Sequence, residues 1–149
     1  MFDISGKEEY KLEEPICVRA TLTNIDHEVI SVSEMNFKVG TIDFFIRTPD
    51  GFEIQFIGPV DPNNMQLLTL YPEDSSSIEI DIKCGLFGIL KSVADVPSQV
   101  PIPYDFNPGV YRIYGVYKSF LPIPSLTSEF PKIWLGELET EHYSFEIAK

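Results

Sequence analysis

The sequence contains few of the residues that most often perform chemistry. It has two cysteines and two histidines in 149 residues. Cys17 and Cys84 are too few and too far apart for a zinc quartet or a Cys-x-x-Cys redox pair. No spacing links His27 or His142 to a recognisable nucleophilic arrangement, and glycine-rich phosphate loops and the His-Glu-x-x-His motif are absent. We therefore predict a protein that is not an enzyme, with no catalytic residues, no metal site and no cofactor.

Positive charge is scarce as well. Lys and Arg number 11 against 23 Asp and Glu, which gives a formal net charge of −12. Nucleic acids and anionic membrane surfaces are bound through clustered cations, so this balance predicts neither as a partner. The acidity is uneven, because residues 82–136 carry five basic and three acidic side chains.

Long apolar runs are missing too. No stretch approaches the ~18 consecutive apolar residues of a transmembrane helix, so we predict no membrane insertion. The first residues lack the cationic start and apolar run of a signal peptide. We expect a cytoplasmic protein from the sequence as it stands, or an extracytoplasmic one if a signal peptide has been removed.

The two cysteines allow two interpretations. The first is a pair of small thiols, buried or half-buried in the fold. The second is a disulfide, which requires a location outside the cytoplasm.

What the sequence does contain is alternation with a period of two, which is typical of half-buried strands. In residues 16–24, Ile16, Val18, Ala20 and Leu22 share one face. Residues 27–33 follow after a short turn, and we expect them to form a neighbouring strand. The remaining predicted strands are residues 41–47, 52–57, 65–71, 77–83, 110–118, 133–138 and 143–147. Seven to nine short strands predict a single all-β domain over residues 1–149, a two-layer antiparallel sandwich.

Local signals add detail to this prediction. The sequence Thr48-Pro49-Asp50-Gly51 predicts a tight hairpin turn between two strands. Gly115 suggests a bulge or a close backbone approach in its strand. Only residues 86–94 favour a short helix, which Gly88 and Pro97 keep short.

Two connections are too long to be simple turns, residues 84–108 and 119–132. Loops of this length are uncommon in compact domains and are usually functional or disordered. Their apolar content argues against disorder, and prolines such as Pro101, Pro122 and Pro124 favour an extended path that costs little entropy on binding. We predict either an exposed binding site for a protein partner or two loops that fold back over the ends of the sandwich.

Residues 105–113 (Asp-Phe-Asn-Pro-Gly-Val-Tyr-Arg-Ile) resemble the Pro-Gly-x-Tyr-x-apolar entry into the penultimate strand of immunoglobulin-like sandwiches. The Leu-Thr-Asn strand end at 22–24, the Tyr-Pro-Glu-Asp-Ser-Ser segment at 71–76 and Trp-Leu-Gly-Glu-Leu at 134–138 are similar to bacterial and archaeal accessory domains of this class. The resemblance implies an immunoglobulin-like sandwich with a tyrosine corner at Tyr111. Small immunoglobulin-like protease inhibitors of prokaryotes are a second similarity.

These features together predict a non-catalytic protein-interaction or accessory module, with its oligomeric state left open. The predicted contact residues are Phe120, Leu121, Ile123, Leu126 and Phe130, and secondarily Val100, Ile102 and Tyr104. One alternative is an immunoglobulin-like protease inhibitor acting through an extended loop. Another is an enzyme or calcium-binding domain with a carboxylate site, for which the candidates are Asp61 with Asn63 and Asn64, Glu73 with Asp74, and Glu137, Glu139 and Glu141.

Overall fold

The computed structural model describes residues 1–92, 99–121 and 132–149. In these residues the protein is all-β, with one three-residue 3-10 turn at Pro62–Asn64. The strands are β1 (Phe2–Ser5), β2 (Glu9–Lys11), β3 (Cys17–Thr23), β4 (Ile30–Ser33), β5 (Ile42–Arg47), β6 (Glu53–Phe56), β7 (Leu67–Leu70), β8 (Ser75–Asp81), β9 (Phe87–Ser92), β10 (Gln99–Pro103), β11 (Gly109–Ser119), β12 (Gly136–Glu139) and β13 (Tyr143–Ala148).

The strands form one large sheet and two smaller ones. The large sheet has eight strands in the order β10-β9-β6-β5-β11-β13-β2, with β12 paired to the far half of β11. A three-stranded sheet has the order β1-β3-β8, and β4 pairs with β7. Every pair is antiparallel except β13 with β2. The all-β sandwich prediction is therefore confirmed, but the described residues form thirteen strands rather than seven to nine.

The core lies on the apolar faces created by the alternation of β3, β5 and β11. Val18 and Ala20 on β3 are fully buried, as are Phe44 on β5 and Ile113 on β11. Residues between them in sequence, such as Arg19, are exposed. Burial of one face per strand removes apolar surface from water at roughly 25 cal/mol per Å2, which explains why the period of two predicts these strands.

The predicted hairpin at Thr48-Pro49-Asp50-Gly51 is confirmed. β5 and β6 are antiparallel, with Ile46 opposite Ile54. The Thr48 amide donates to the carbonyl of Phe52 at 2.8 Å, and Gly51 has a φ of 91°. Glycine is needed there because residues with a side chain rarely adopt positive φ.

The short helix predicted for residues 86–94 is wrong where the structure describes the segment. Phe87–Ser92 forms β9, between β6 and β10. A Cβ at Gly88 would clash with the carbonyl oxygen of Ile102 on β10. The glycine that weakens a helix therefore allows two strands to approach closely, and long-range pairing overrides a weak local propensity.

Two further predictions are corrected. Residues 84–108 are not one long loop, since they contain β9 and β10, which pair over five residues. β4 does form within residues 27–33, but its partner is β7 rather than β3. Both errors concern which strands pair, and pairing depends on contacts that are distant in sequence.

The tyrosine corner that the resemblance implies at Tyr111 is present. Its buried hydroxyl donates to the carbonyl of Asn107 at 2.7 Å and accepts the Asn107 amide at 3.0 Å. The ring stacks on Phe145 of β13, with centroids 5.2 Å apart. Burial is the main reason why the pKa of Tyr111 is raised well above its usual range. The phenol therefore stays protonated and anchors the start of β11.

Gly115 marks a close approach, as the sequence suggested. A Cβ there would lie 3.1 to 3.2 Å from side-chain atoms of Ile4 and Phe2 on β1. The Gly115 amide donates to the hydroxyl of Thr140 at 2.8 Å. Near this residue the hydrogen-bonding partner of β11 changes from β13 to β12. The glycine therefore allows β1 to pack closely against β11 at this point.

The cysteines are both free, so the disulfide interpretation is wrong. Cys17 is half-buried, as expected. Cys84 is exposed, so the prediction that both thiols are buried or half-buried is wrong for this residue. Among the described residues, no helix has the length and apolar character needed to cross a membrane.

Candidate functional site

The predicted contact residues do not form one surface. Tyr104 lies near the start of β11, where its hydroxyl donates to Asp50 in the β5–β6 turn at 3.0 Å. Phe120 follows the opposite end of β11. Eleven extended residues separate the two ends, a distance of roughly 30 Å at the rise of a β-strand. Ile123, Leu126 and Phe130 lie outside the described residues.

Phe120 is held to β4 through its backbone. Its amide donates to the hydroxyl of Ser33 at 2.9 Å, and the same hydroxyl donates to the Phe120 carbonyl at 2.8 Å. The Ser119 hydroxyl donates to the carbonyl of Trp134 at 2.8 Å. The side chains of Phe120 and Leu121 are half-buried, so this predicted contact group is only partly available to a partner.

Tyr104 has a structural role. Its ring makes edge contacts with Phe106 and Tyr111, at centroid distances of 5.1 and 6.4 Å. Its hydroxyl, together with that of Thr48, holds the pKa of Asp50 below the usual range by hydrogen bonding, with Thr48 the larger cause. Tyr104 therefore closes the end of the core beside the tyrosine corner.

Val100 and Ile102, by contrast, are exposed at 40% and 43%. Ile102 is directly opposite Ile89 on β9, and Ile89 lies two residues after the buried Phe87. Residues two apart in a strand share a face, so these side chains continue the core face of the large sheet. We call Ile89, Val100 and Ile102 the β10 ledge, an apolar strip that the opposing sheet leaves uncovered at Val100 and Ile102.

β10 is an edge strand with an unusual hydrogen-bonding edge. The Tyr104 amide donates to the Phe87 carbonyl at 2.9 Å. By antiparallel alternation Ile102 and Val100 also direct their backbone groups toward β9, which leaves Pro101 and Pro103 on the open side. Proline has no amide hydrogen, so this edge offers carbonyl acceptors but no donors there. A partner would therefore contact the side chains of β10 rather than pair with its backbone as an additional strand.

The outer face of the large sheet carries stacked rings, a feature that the sequence prediction missed. Phe45 of β5 stacks on Tyr114 of β11 with centroids 5.2 Å apart and planes 18° apart. Tyr114 in turn stacks on His142, at 4.4 Å and 14°. We call these three side chains the outer ring ladder. The signal available in the sequence was an aromatic residue at a polar-face position of each alternating strand.

Two depressions lie beside the outer ring ladder and share Tyr114 and Glu139 in their linings. One, of about 350 Å3, contains Asp43. The carboxylate of Asp43 accepts the amides of Phe44 at 2.8 Å and Phe56 at 3.1 Å. Burial raises the pKa of Asp43 to about 6, although these two hydrogen bonds oppose the effect.

The second depression, of about 270 Å3, contains two arginines. It is lined by Arg47, Glu53, Arg112, Tyr114, Glu139 and His142. Arg47 and Arg112 are directly opposite each other on β5 and β11. The two guanidinium groups can donate hydrogen bonds to an anion, while the carboxylates of Glu53 and Glu139 balance their charge.

An apolar cleft of about 250 Å3 opens where the small sheets meet the far end of β11. Leu22, Val32, Leu70 and Trp134 are among its lining residues. At its rim Lys132 lies 3.4 Å from both Asp26 and Glu28, in exposed ion pairs. Such exposed pairs contribute little to stability.

The carboxylate candidates stay dispersed. Asp61 accepts the backbone amide of Asn63 and the side-chain amide of Asn64, both at 3.1 Å, so it caps the 3-10 turn. In the part of the chain that the structure describes, no three His, Cys, Asp or Glu side chains converge in a metal-binding arrangement.

Comparison with known proteins adds no assignment to this geometry. No family model matches the chain, and no curated protein matches it significantly.

Proposed function

We propose that this protein is a non-catalytic, protein-binding module with an immunoglobulin-like β-sandwich. The pairings of β3 with β8 and of β5 with β11 and β11 with β13 support this architecture, since they correspond to the B–E, C–F and F–G pairs of such sandwiches. β1 joins the small sheet and β2 joins the large one beside β13. The tyrosine corner at Tyr111 adds to this support.

The observation that carries the binding function is the exposed β10 ledge. Isolated exposed apolar residues are normal on protein surfaces. Val100 and Ile102, however, lie side by side on the core face, next to Ile89, and prolines stiffen the strand between and after them. A partner with an apolar ridge would bury this strip with little loss of backbone entropy.

The partner is a protein rather than a nucleic acid or a lipid surface. The chain carries a net charge of −12, which opposes binding to polyanions. Pro101 and Pro103 offer no amide donors on the open edge of β10, which makes strand addition a poor mode of binding, so we expect side-chain recognition. The alternative of a protease inhibitor acting through residues 119–132 concerns a segment that lies mostly outside the described residues.

The test compares the wild type with a Val100→Ser, Ile102→Ser double variant. The matched control is Val110→Ser, because Val110 is exposed at 59% on the outer face. Each immobilised protein captures partners from an extract of the source cells, and a candidate is then purified and its Kd measured. We expect the double variant to weaken binding at least about tenfold, which corresponds to roughly 1.4 kcal/mol.

Equal affinity for the wild type and the double variant would contradict the ledge as the binding site. Concentration-dependent sedimentation that depends on Val100 and Ile102 would instead identify a second copy of the chain as the occupant. Circular dichroism and thermal melting of each variant show that the fold is retained.

A further inference from the structure

The outer face of the large sheet contains two opposed arginines without ionic partners. Arg47 on β5 and Arg112 on β11 are Cα partners in the antiparallel ladder, and both are exposed. Within the described residues, neither guanidinium forms an ion pair within 4.0 Å or a side-chain hydrogen bond. Arg19, on β3, differs because it pairs with Glu79 at 3.3 Å.

This arrangement is unfavourable in the free protein. Like charges directly opposite each other on neighbouring strands destabilise a sheet. The chain has 23 acidic residues, and Glu53 is the cross-strand partner of Arg47 on the other side, yet it does not come within ion-pair distance. An anion bound between the two guanidinium groups would offset this repulsion.

The surroundings position further hydrogen-bond donors. Tyr114 is held between Phe45 and His142 in the outer ring ladder, with centroid distances of 5.2 and 4.4 Å. Its hydroxyl makes no hydrogen bond to the described residues. Burial, with Glu53 and Glu139 nearby, raises the pKa of Tyr114, so the phenol is a donor at neutral pH.

We propose that Arg47 and Arg112, with Tyr114 and His142 beside them, bind the oxyanion of a small ligand, either a phosphate monoester or a carboxylate. The two guanidinium groups supply charge-assisted hydrogen bonds to the oxygens. Glu53 and Glu139 in the same lining repel a second anionic group and accept hydrogen bonds from ligand hydroxyls. The depression of about 270 Å3 therefore has room for a small ligand that carries a single oxyanion group.

This site is independent of the β10 ledge. Arg47 and Arg112 lie on the outer face, and the ledge continues the core face of the same sheet. Failure of partner binding at the ledge leaves the oxyanion site untouched, and the reverse also holds.

The binding test is an NMR titration of the full chain with phenyl phosphate and, separately, with benzoate. NaCl at matched ionic strength is the reference. We expect saturable shifts at Arg47, Arg112, Tyr114 and His142. Arg47→Gln and Arg112→Gln should each weaken affinity at least about tenfold, whereas Arg19→Gln, the control on the small sheet, should leave it unchanged.

The two probes distinguish the sources of the oxyanion. Tighter binding of phenyl phosphate assigns a phosphate monoester, and tighter binding of benzoate assigns a carboxylate. Linear shifts without saturation, shifts that NaCl reproduces, or equal affinity in the Arg47→Gln, Arg112→Gln double variant would each overturn the proposal.

Thermal melting supplies a second readout that a purely structural role would not produce. In a NaCl buffer, either arginine variant should melt at a higher temperature than the wild type, because the repulsion is removed. The tighter probe should raise the Tm of the wild type but not that of the double variant. If the single variants melt lower in NaCl, the arginines stabilise the fold by themselves and the proposal fails.

Discussion

The two faces of the large sheet are built from the same strands but follow different rules. On the inner face, Phe44 and Ile46 of β5 and Tyr111 and Ile113 of β11 are all fully buried. The Tyr111 hydroxyl has its hydrogen-bond partner. These residues meet the requirements of a packed core, which are apolar contact and satisfied polar atoms, whereas the buried Tyr143 hydroxyl on the same face of β13 has no hydrogen-bond partner among the described residues.

The outer face departs from what a solvated sheet face needs. It contains half-buried stacked rings, the half-buried carboxyl of Asp43 and the opposed pair of Arg47 and Arg112. The opposed arginines and the partly desolvated carboxyl each cost free energy in the free protein, whereas the stacked rings stabilise it. Folding accounts for the inner face, and the outer face is where we propose that an oxyanion binds.

The largest expected effect tests this difference with two adjacent phenylalanines of β5. Phe44→Ala should destabilise the protein by about 3 to 5 kcal/mol, because it removes a fully buried ring that contacts Phe37 and Phe87. Phe45→Ala should cost only about 1 to 2 kcal/mol, since this ring is half-buried and loses its stacking on Tyr114 with part of its buried area. Urea denaturation followed by circular dichroism measures both, and similar losses would erase the distinction between the faces.

The next effect concerns the pH dependence of stability at Asp43. Its folded pKa of about 6 exceeds the ordinary value of 3.8. The folded state therefore binds the proton more tightly than the unfolded state between these values, so this group makes the protein less stable as pH rises from about 4 to 6. The full difference corresponds to roughly 3 kcal/mol.

Asp43→Asn removes this titration while its amide oxygen still accepts the Phe44 and Phe56 amides. Relative to the wild type, the variant should become more stable between pH 4 and pH 7.5, by up to about 3 kcal/mol. Chemical denaturation at the two pH values provides the measurement, with Asp105→Asn at an exposed carboxylate as the control. A constant difference across this range would show that burial does not govern the Asp43 carboxyl.

A smaller effect separates two tyrosine hydroxyls. Tyr111→Phe leaves the Asn107 amide without its acceptor at the tyrosine corner, and should cost about 1 to 3 kcal/mol. Tyr114→Phe removes a hydroxyl that makes no hydrogen bond to the described residues, and its cost should stay below about 0.5 kcal/mol. The same urea assay compares them, and a reversed order would contradict the assignment of the corner as structural.

The smallest effect is expected at the exposed ion pair of the outer face. Lys118 lies 3.9 Å from Glu137, and both side chains are more than half exposed. Lys118→Gln should change stability by no more than about 0.5 kcal/mol, because solvent screens such a pair. Thermal melts at low and high NaCl check this, and a large salt-dependent loss would show that the outer face contributes to folding after all.

Short-range patterns predicted much of the fold. The period of two located β3, β5, β8, β11 and β13, and the Pro-Asp-Gly turn located the β5–β6 hairpin. Tyr111 was placed correctly because the corner is formed by residues four apart in sequence. These features succeed because the information lies within a few residues of the structure it specifies.

Predictions that depended on distant residues were less successful. Residues 86–94 were predicted to form a short helix, but pairing with β6 and β10 makes Phe87–Ser92 a strand. The proposed contact residues were grouped by composition, whereas the fold places Tyr104 and Phe120 at opposite ends of β11. Among the described candidates, only Val100 and Ile102 are exposed.

The sequence alone was sufficient to predict an all-β fold, the positions of the main strands and the tyrosine corner. These features depend on alternation and on hydrogen bonds between residues that are close in sequence. Register and sheet order required the folded chain. They bring Arg47 beside Arg112, residues separated by more than sixty positions in the sequence, and they leave the β10 ledge uncovered. The local pattern named Val100 and Ile102 as contact residues, but only long-range pairing places them beside Ile89 and places Arg47 opposite Arg112.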